Sequence, residues 1–199
     1  ELRALSAQIN PHFLYNTLDT IVWMAEFNDS KRVVEVTKSL AQYFRLALNQ
    51  GHEQISLRDE IDHVRQYLFI QKQRYGDKLQ YEIEEDESIA DYKLPKLVLQ
   101  PLVENAIYHG IKEIDRQGMI RVTSEVEEGQ LRLSIYDNGR GFDLRDSTDM
   151  TLPRLGGVGL KNVDQRLRLQ FGDDYHMEIQ SEPDKFTQIS LYLPLDSDD

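Results

Sequence analysis

The chain has 199 residues, with 40% hydrophobic and 29% charged, a composition typical of a globular protein with one large or two small domains. The absence of cysteine excludes disulfides and thiolate metal sites, and the net charge of −12 argues against binding nucleic acid through bulk positive charge. Residues 1–52 carry five basic and five acidic residues, so the whole acidic excess lies in residues 53–199. This asymmetry predicts two regions with different functions.

Apolar residues at helical spacing predict two helices within the first 52 residues. One stripe runs from Leu2 to Ala25 and another from Val33 to Ala47, with a turn signal at Asn28-Asp29-Ser30 between them. Asp29 or Ser30 is expected to cap the second helix, and Gln50-Gly51 to end it. Two such helices cannot bury both apolar faces alone. A second copy of the chain is therefore expected to complete a four-helix bundle.

The remaining residues predict an α+β sandwich, with helices on one face of a mixed, mainly antiparallel sheet. Ser56 begins a helix that ends near Tyr75, Leu94-Pro95 is expected to begin another that ends at Gly110, and a third runs from Leu160 to Phe171. Alternating patterns predict strands at residues 79–83, 120–126, 131–136, 177–180 and 188–193. The polar stretch from Asp143 to Arg154 is expected to form a mobile loop.

His12 is the first candidate for chemistry, because imidazole is mostly neutral near pH 7 and can act as a nucleophile. Pro11 cannot donate a hydrogen bond to the carbonyl of Ala7, and the resulting kink is expected to aim the His12 ring away from the bundle. Asn16 lies four residues on, over the same helix face, where it can position a water or a phosphoryl oxygen. The alternative is a histidine that only packs against its helix or caps it.

Two further segments combine polar side chains with turn formers. Glu104 and Asn105 interrupt an apolar helix, where the Asn105 oxygen is a candidate ligand for Mg²⁺ and a buried, hydrogen-bonded asparagine is the alternative. Asp137 follows a predicted strand, and its carboxylate is a candidate acceptor for the amino group of adenine. Gly139 and Gly141 would let the backbone approach the ring, although a tight turn is the alternative.

A glycine cluster, Gly156-Gly157-Val158-Gly159, stands directly before the predicted helix from Leu160. Free backbone N–H groups and a positive helix end at this point suit a phosphate chain. The cluster does not have the spacing of a Walker loop.

Taken in order, these segments resemble those of the two-component sensor histidine kinases, in the LytS/YesM-like branch. Residues 8–16 are similar to the phosphoacceptor box of that branch, Leu102 to Gly110 to the N box, Asp137 to Phe142 to the G1 box and Gly156 to Leu160 to the G2 box. The resemblance implies a hairpin for dimerisation and histidine phosphotransfer over residues 1–52. A Bergerat-type ATP-binding sandwich of the GHKL superfamily would follow over residues 53–199.

The resemblance implies that ATP with Mg²⁺ phosphorylates His12, with Asn16 assisting, and that a response-regulator aspartate then accepts the phosphoryl group. Phe13 stands where many relatives have an acid, so Glu104 is a candidate base, unless the attacking nitrogen is already bare. Tyr108 stands where many have a lysine, which leaves the phosphate charge to Mg²⁺, backbone amides, His109 or Lys112. The implied nucleotide-binding residues are Asn105 (also the metal ligand), Tyr108, His109, Lys112, Asp137, Gly139, Gly141, Phe142, Gly157, Val158, Gly159, Leu160 and Thr187.

Other residues are given secondary roles. Thr187 is expected to support Asp137 from the last strand, and Arg166 lies either near the phosphates or on the surface. His52, His63 and His176 are expected to lie on the surface. Tyr67, Tyr75 and Tyr81 are expected to pack in the core or at its rim.

The resemblance further implies a homodimer that meets a response-regulator receiver domain and no nucleic acid. Because the chain opens in a helical pattern without an initiator methionine, we expect it to be cut from something longer. The resemblance implies that it is the cytoplasmic portion of a bacterial sensor protein. That protein would reach the inner (plasma) membrane only through an upstream segment. The alternatives are a GHKL ATPase that uses ATP as a clamp, and a nucleotide-regulated dimeric binding module without autophosphorylation.

Overall fold

The computed structural model describes residues 11–47, 54–143 and 153–195, with side chains from residue 159 onward in the last range. Helix α1 spans Pro11–Glu26 and α2 spans Ser30–Ala47, as the two apolar stripes predict. Asp29 caps α2, because its carboxylate accepts a hydrogen bond from the N–H of Arg32 at 3.2 Å. The predicted kink involves the carbonyl of Ala7, and the predicted helix end is Gln50-Gly51; both lie outside the described residues.

Helix α3 spans Leu57–Tyr75 and has the ends that the sequence predicts. The Ser56 hydroxyl oxygen accepts from the N–H of Asp59 at 3.1 Å, and its proton goes to the Asp59 carboxylate at 2.8 Å. Gly76 ends the helix at a φ of 58°, which L-residues with a side chain rarely adopt.

The structure has seven strands within the described residues: β1 Gln54–Ser56, β2 Leu79–Glu85, β3 Lys93–Pro95, β4 Gly118–Glu127, β5 Gln130–Asp137, β6 His176–Glu182 and β7 Phe186–Pro194. Five of them form one sheet in the order β2, β4, β5, β7, β6, and a separate two-stranded ladder joins β1 to β3. Only the β2–β4 pair in the five-stranded sheet is parallel, so the prediction of a mixed, mainly antiparallel sheet is confirmed.

The start of the next helix, α4 at Leu99–Asn105, differs from the prediction. Pro95 ends a short strand instead of beginning the helix, and Leu97 then turns the chain with a φ of 59°. The cap comes from a distant residue, since the Glu60 carboxylate accepts from the N–H groups of Leu97 at 2.9 Å and Leu99 at 2.7 Å. Pro101 does not interrupt the helix, because it occupies the first turn, where a missing N–H costs no helical bond.

Gly110 does not end this helical segment, which is a second correction. A π-helix, Ala106–Ile111, continues directly from α4, and the N–H of Lys112 bonds to the carbonyl of Ile107 at 2.9 Å. Such i to i−5 bonding is typical of functional sites.

Helix α5 spans Pro153–Phe171, so it begins seven residues before the predicted start at Leu160. The glycine cluster therefore lies inside the helix and not before it, and Pro153 occupies its first position, which suits proline. Gly172 follows the helix with a φ of 58°, as predicted. Residues 144–152 of the predicted loop lie outside the described residues.

A single buried cluster connects the hairpin with the sandwich. Its apolar members on the sheet are Leu79, Ile120, Val122, Leu131, Leu133, Ile135, Ile189, Leu191 and Leu193. Phe13, Leu40 and Tyr43 of the hairpin belong to the same cluster. The opposite sheet face carries exposed ion pairs such as Arg121 with Glu82 at 3.0 Å. Within the described ranges, no helix combines the length and apolar character that a membrane crossing requires.

His63 is buried, which corrects the prediction of a surface position. It is 1% exposed and its ring stacks on Tyr43 with centroids 4.4 Å apart. Burial lowers its pKa to about 4, so the ring is neutral near pH 7. His176 is exposed and Tyr67 is buried, both as predicted, whereas His52 lies outside the described residues. Tyr75 and Tyr81 lie at the rim of the core, as predicted.

Candidate nucleotide-binding site

Asp137 ends strand β5 in a buried position, 4% exposed, directly opposite Thr187 in the ladder with β7. Its Oδ1 accepts a hydrogen bond from the N–H of Gly139 at 2.9 Å. Burial raises the pKa of the carboxyl to about 7, although the Gly139 bond and the Arg116 charge act in the opposite direction. A carboxyl that titrates near neutral pH in a buried position is typical of a ligand-binding site.

Two glycines pack against this carboxyl, and a third, Gly141, packs against the turn between β6 and β7. A Cβ on Gly110 would clash with the Asp137 carboxylate, and one on Gly139 would clash with the Gly110 backbone. Gly141 has a φ of 57°, and a Cβ there would clash with the carbonyl of Glu182. The sequence therefore needs glycine at Gly110 for close approach to Asp137, and not as the helix terminator that we predicted.

The segment after Asp137 is held by bonds that sequence reasoning did not find. Asn138 pairs with Met119 through both an N–H to carbonyl bond at 3.1 Å and a side-chain bond at 2.6 Å. Arg116 donates to the carbonyls of Gly139 at 3.2 Å and Asp184 at 3.1 Å. These contacts join residues from separate turns, so no local signal could have revealed them.

Thr187 and Phe142 meet at Ser181, a residue that the sequence did not single out. The Ser181 oxygen accepts from the N–H of Phe142 at 2.9 Å, and its proton goes to the carbonyl of Phe186 at 2.9 Å. Since Ser181 has one proton, the Thr187 hydroxyl, 3.2 Å away, must donate to Ser181. Because this arrangement commits the Thr187 proton to Ser181, a hydrogen bond from Thr187 to Asp137 would require the hydroxyl to rotate, and it stays a prediction.

Asn105 lies at the end of α4 with a buried side-chain oxygen. Among the described residues this oxygen has no hydrogen-bonding partner, which contradicts the alternative of a fully satisfied asparagine. An unpaired buried oxygen is costly unless a ligand completes it, so the residue fits a cation. The described ranges hold no cluster of three or more acidic or histidine side chains that could bind a metal. A cation that takes one protein ligand together with water and phosphate oxygens suits this site.

The structure brings His12 next to the segment that follows Asn105. The exposed His12 ring lies 6.4 Å, centroid to centroid, from that of Tyr108 in the π-helix. The Asn16 amide nitrogen lies 3.1 Å from both ring nitrogens of His12, so it can donate to whichever one lacks a proton. The Tyr108 hydroxyl is buried and has no hydrogen-bonding partner within the described residues.

Glu104 directly precedes Asn105 in α4, and its carboxylate accepts a hydrogen bond from Gln100 at 2.7 Å. Burial raises its pKa, while the Gln100 bond lowers it. A raised pKa makes the carboxylate a stronger base. Its role as a base for His12 stays a prediction.

The predicted phosphate-binding residues are divided between two segments. His109 and Lys112 are exposed, whereas Leu160 is buried. Gly157 and Val158 lie in α5, and of Val158 only the backbone is described. Gly159 has room for a Cβ, at 3.4 Å from Pro101. Only the first four N–H groups of a helix lack a helical partner. In this form the N–H groups of Gly157, Val158 and Gly159 are therefore paired, and not free as we predicted.

Arg166 is a structural residue and not a free surface charge. Its guanidinium donates to the carbonyls of Lys96 and Leu97, both at 2.8 Å. The buried Glu60 binds the same turn from the other side through two N–H groups. Burial lowers the pKa of Arg166 and raises that of Glu60, and their mutual attraction opposes both shifts. The pair fixes the start of α4, the helix that carries Asn105.

Comparison with known proteins shows two family matches. Residues 1–79 match the family described as "Histidine kinase", and residues 90–197 match the "Histidine kinase-, DNA gyrase B-, and HSP90-like ATPase" family. The chain is 37% identical to the sensor histidine kinase YesM of Bacillus subtilis and 38% identical to the sensor histidine kinase BtsS of Escherichia coli, over 98% of its own length. It spans 33% of each of these relatives.

A solved structure supports the fold independently. The histidine kinase domain of the Erythrobacter litoralis EL346 blue-light activated kinase matches with a TM-score of 0.55. The match covers 98% of this chain and 93% of that one at 19% identity.

Proposed function

We propose that this chain, which belongs to the histidine kinases with a gyrase- and HSP90-like ATPase domain, is the kinase core of a sensor protein. In this proposal ATP phosphorylates His12, and an aspartate on the receiver domain of a response regulator then accepts the phosphoryl group. The observation that carries the proposal is the place of the exposed His12 ring beside Tyr108, three residues after Asn105. A nucleophile at this position faces the residues expected to hold the nucleotide.

Transfer to His12 needs little covalent assistance from the protein. The lone pair of the unprotonated ring nitrogen attacks the γ-phosphorus while the bond to the β,γ-bridging oxygen breaks, and ADP leaves. Since the attacking nitrogen carries no proton, a base is not required for this step, and Glu104 is the candidate if one takes part. The Asn16 amide orients the ring before the reaction. Since it donates to the unprotonated nitrogen, this hydrogen bond breaks when that lone pair attacks. Positioning and charge neutralisation then supply the catalysis.

The nucleotide would lie across the C-terminal end of the central strand β5 and the π-helix. The Asp137 carboxylate would accept a hydrogen bond from the adenine amino group, and Gly139, Gly141 and Phe142 would shape the pocket beside it. Mg²⁺ on Asn105 would neutralise phosphate charge. The other residues proposed to contact the nucleotide are Tyr108, His109, Lys112, Gly157, Val158, Gly159, Leu160 and Thr187. The N–H groups of Gly157, Val158 and Gly159 can take part only if the first turns of α5 unwind.

The proposal divides the chain into a dimerisation and phosphotransfer hairpin, residues 1–52, and an ATP-binding domain, residues 53–199. Exposed apolar side chains on the hairpin support a second copy as its partner. They are Tyr15, Leu18, Val22, Trp23, Phe27 and Val34. The chain would work on the cytoplasmic side of a bacterial plasma membrane, joined to it through an upstream segment of the longer sensor.

Incubation with γ-labelled ATP and Mg²⁺ tests the proposal. The parent chain should acquire acid-labile label and the His12→Gln variant should not, while both bind ATP equally. Equal labelling of the variant contradicts the assignment of His12. Phosphate release without phosphoprotein favours the ATPase clamp, and ATP affinity without turnover favours the binding module.

A further inference from the structure

The phosphoacceptor helix is fixed to the rest of the molecule by an aromatic cluster. Phe13, the residue after His12, is buried and contacts the rings of Tyr43 and Tyr67, with both centroid distances at 4.9 Å. His63 stacks on Tyr43 from α3. The cluster therefore joins α1, α2 and α3, and its members are rigid side chains whose packing leaves little freedom for α1.

A buried polar chain continues from this cluster to Glu104, the neighbour in sequence of the proposed metal ligand Asn105. Gln100 donates from its amide nitrogen to the Tyr43 hydroxyl at 2.6 Å and to the Glu104 carboxylate at 2.7 Å. Glu104 directly precedes Asn105. We name the Tyr43–Gln100 hydrogen bond the latch. It is a direct hydrogen bond between the hairpin and the helix that carries Asn105.

The two ends of α4 contact different parts of the molecule. Gln100, in the first turn, is hydrogen-bonded to Tyr43 of the hairpin, whereas Asn105 ends the helix and lies three residues before Tyr108. The helix has seven residues and its first turn is clamped by Glu60, so its two ends move together. Fixing Tyr43 on Gln100 consequently fixes His12 relative to Asn105.

We propose that Tyr43 and Gln100 are positioning residues whose hydrogen bond holds His12 at the nucleotide site of its own chain, so that phosphorylation occurs in cis. The inference rests on the proposed function and adds the device that sets its geometry. Transfer requires the reacting atoms at about 3–3.5 Å, and errors near 1 Å cost up to about 100-fold in rate. A buried neutral hydrogen bond is enough to change the ratio of docked to undocked molecules about fivefold, and the rate changes by the same factor when the docked form is the minority.

Tyr43→Phe removes the latch and keeps the ring. We expect the rate of His12 phosphorylation at saturating ATP to fall about fivefold with an unchanged KM for ATP, since the nucleotide residues are untouched. The matched control is Tyr67→Phe. That hydroxyl has no partner with hydrogen-bond geometry among the described residues, although Gln71 lies near it. The control should phosphorylate at the parent rate.

Gln100→Leu gives an independent test through a double-mutant cycle. If both residues act through the latch, adding Tyr43→Phe to Gln100→Leu produces no further loss of rate. A Tyr43→Phe rate equal to that of the parent, a parallel loss of ATP affinity, or additive losses in the cycle would overturn the proposal.

Mixed dimers test the cis assignment. His12→Gln lacks the acceptor but keeps the ATP site, and Asn105→Ala keeps the acceptor but lacks the proposed metal ligand. Separate tags on the two chains verify that mixed dimers form. We expect no label in them, and label on the Asn105→Ala chain would establish transfer in trans and overturn the inference. A parent chain that takes no label at His12 instead overturns the proposed function.

Discussion

The raised pKa of Asp137 makes a quantitative prediction about stability without nucleotide. The folded-state pKa of about 7 exceeds the ordinary value of 3.8, so between these values the folded protein binds more protons than the unfolded chain. Stability conferred by the protonated carboxyl is present at low pH and falls as pH rises toward 7. Between pH 5 and 8 this one group should remove about 2–3 kcal/mol from the free energy of unfolding.

Urea unfolding of the parent and of Asp137→Asn at several pH values isolates this effect, because Glu60 and Glu104 are common to both proteins. Asparagine keeps an oxygen that can accept from the N–H of Gly139. We expect the variant to gain about 2–3 kcal/mol relative to the parent between pH 5 and 8. Asp91→Asn, at an exposed carboxylate, is the control and should follow the parent. Parallel pH profiles for parent and Asp137→Asn would refute the reasoning.

Three further predictions concern the core and the site. Phe13→Ala should lower the free energy of unfolding in urea by about 3–5 kcal/mol, and the exposed control Leu169→Ala by less than about 0.5 kcal/mol; similar losses would contradict the docking of α1. Gly110→Ala should weaken ATP binding by about tenfold or more in calorimetry, because its Cβ clashes with Asp137, and parental affinity would disprove this. Without Mg²⁺ and ATP, Asn105→Ala should match the parent in stability or exceed it by up to about 1 kcal/mol, since it removes an unpaired buried oxygen; a large loss would show a structural role.

Helix α3 was predictable at both ends because its signals are local. Ser56 caps the start of the helix and Gly76 caps its end, and each lies directly next to the helix end that it defines. The start of α4 was not predictable, since its cap comes from Glu60, 39 residues before Leu99. The burial of His63 was missed for a related reason. The hairpin covers a face of α3 that a single helix pattern assigns to solvent.

The residues of the candidate site also separate into those with a local sequence signal and those without one. His12, Asn105 and Asp137 stand out in the sequence because each places a reactive polar group beside a turn former or inside an apolar run. Arg116 and Ser181 act through groups that the fold brings to them from distant parts of the chain, so they carry no sequence signal.

Gly110 was recognised as important but assigned to helix termination. Local rules cannot separate a terminator from a close approach to a distant strand.

Locating the phosphate on the chain tests the central claim most directly. The parent protein is incubated with ATP and Mg²⁺, kept at alkaline pH, digested and analysed by mass spectrometry. The account predicts one acid-labile phosphate on the peptide that contains His12. Phosphate on His109 or another residue, or none on a chain that binds ATP, would contradict it.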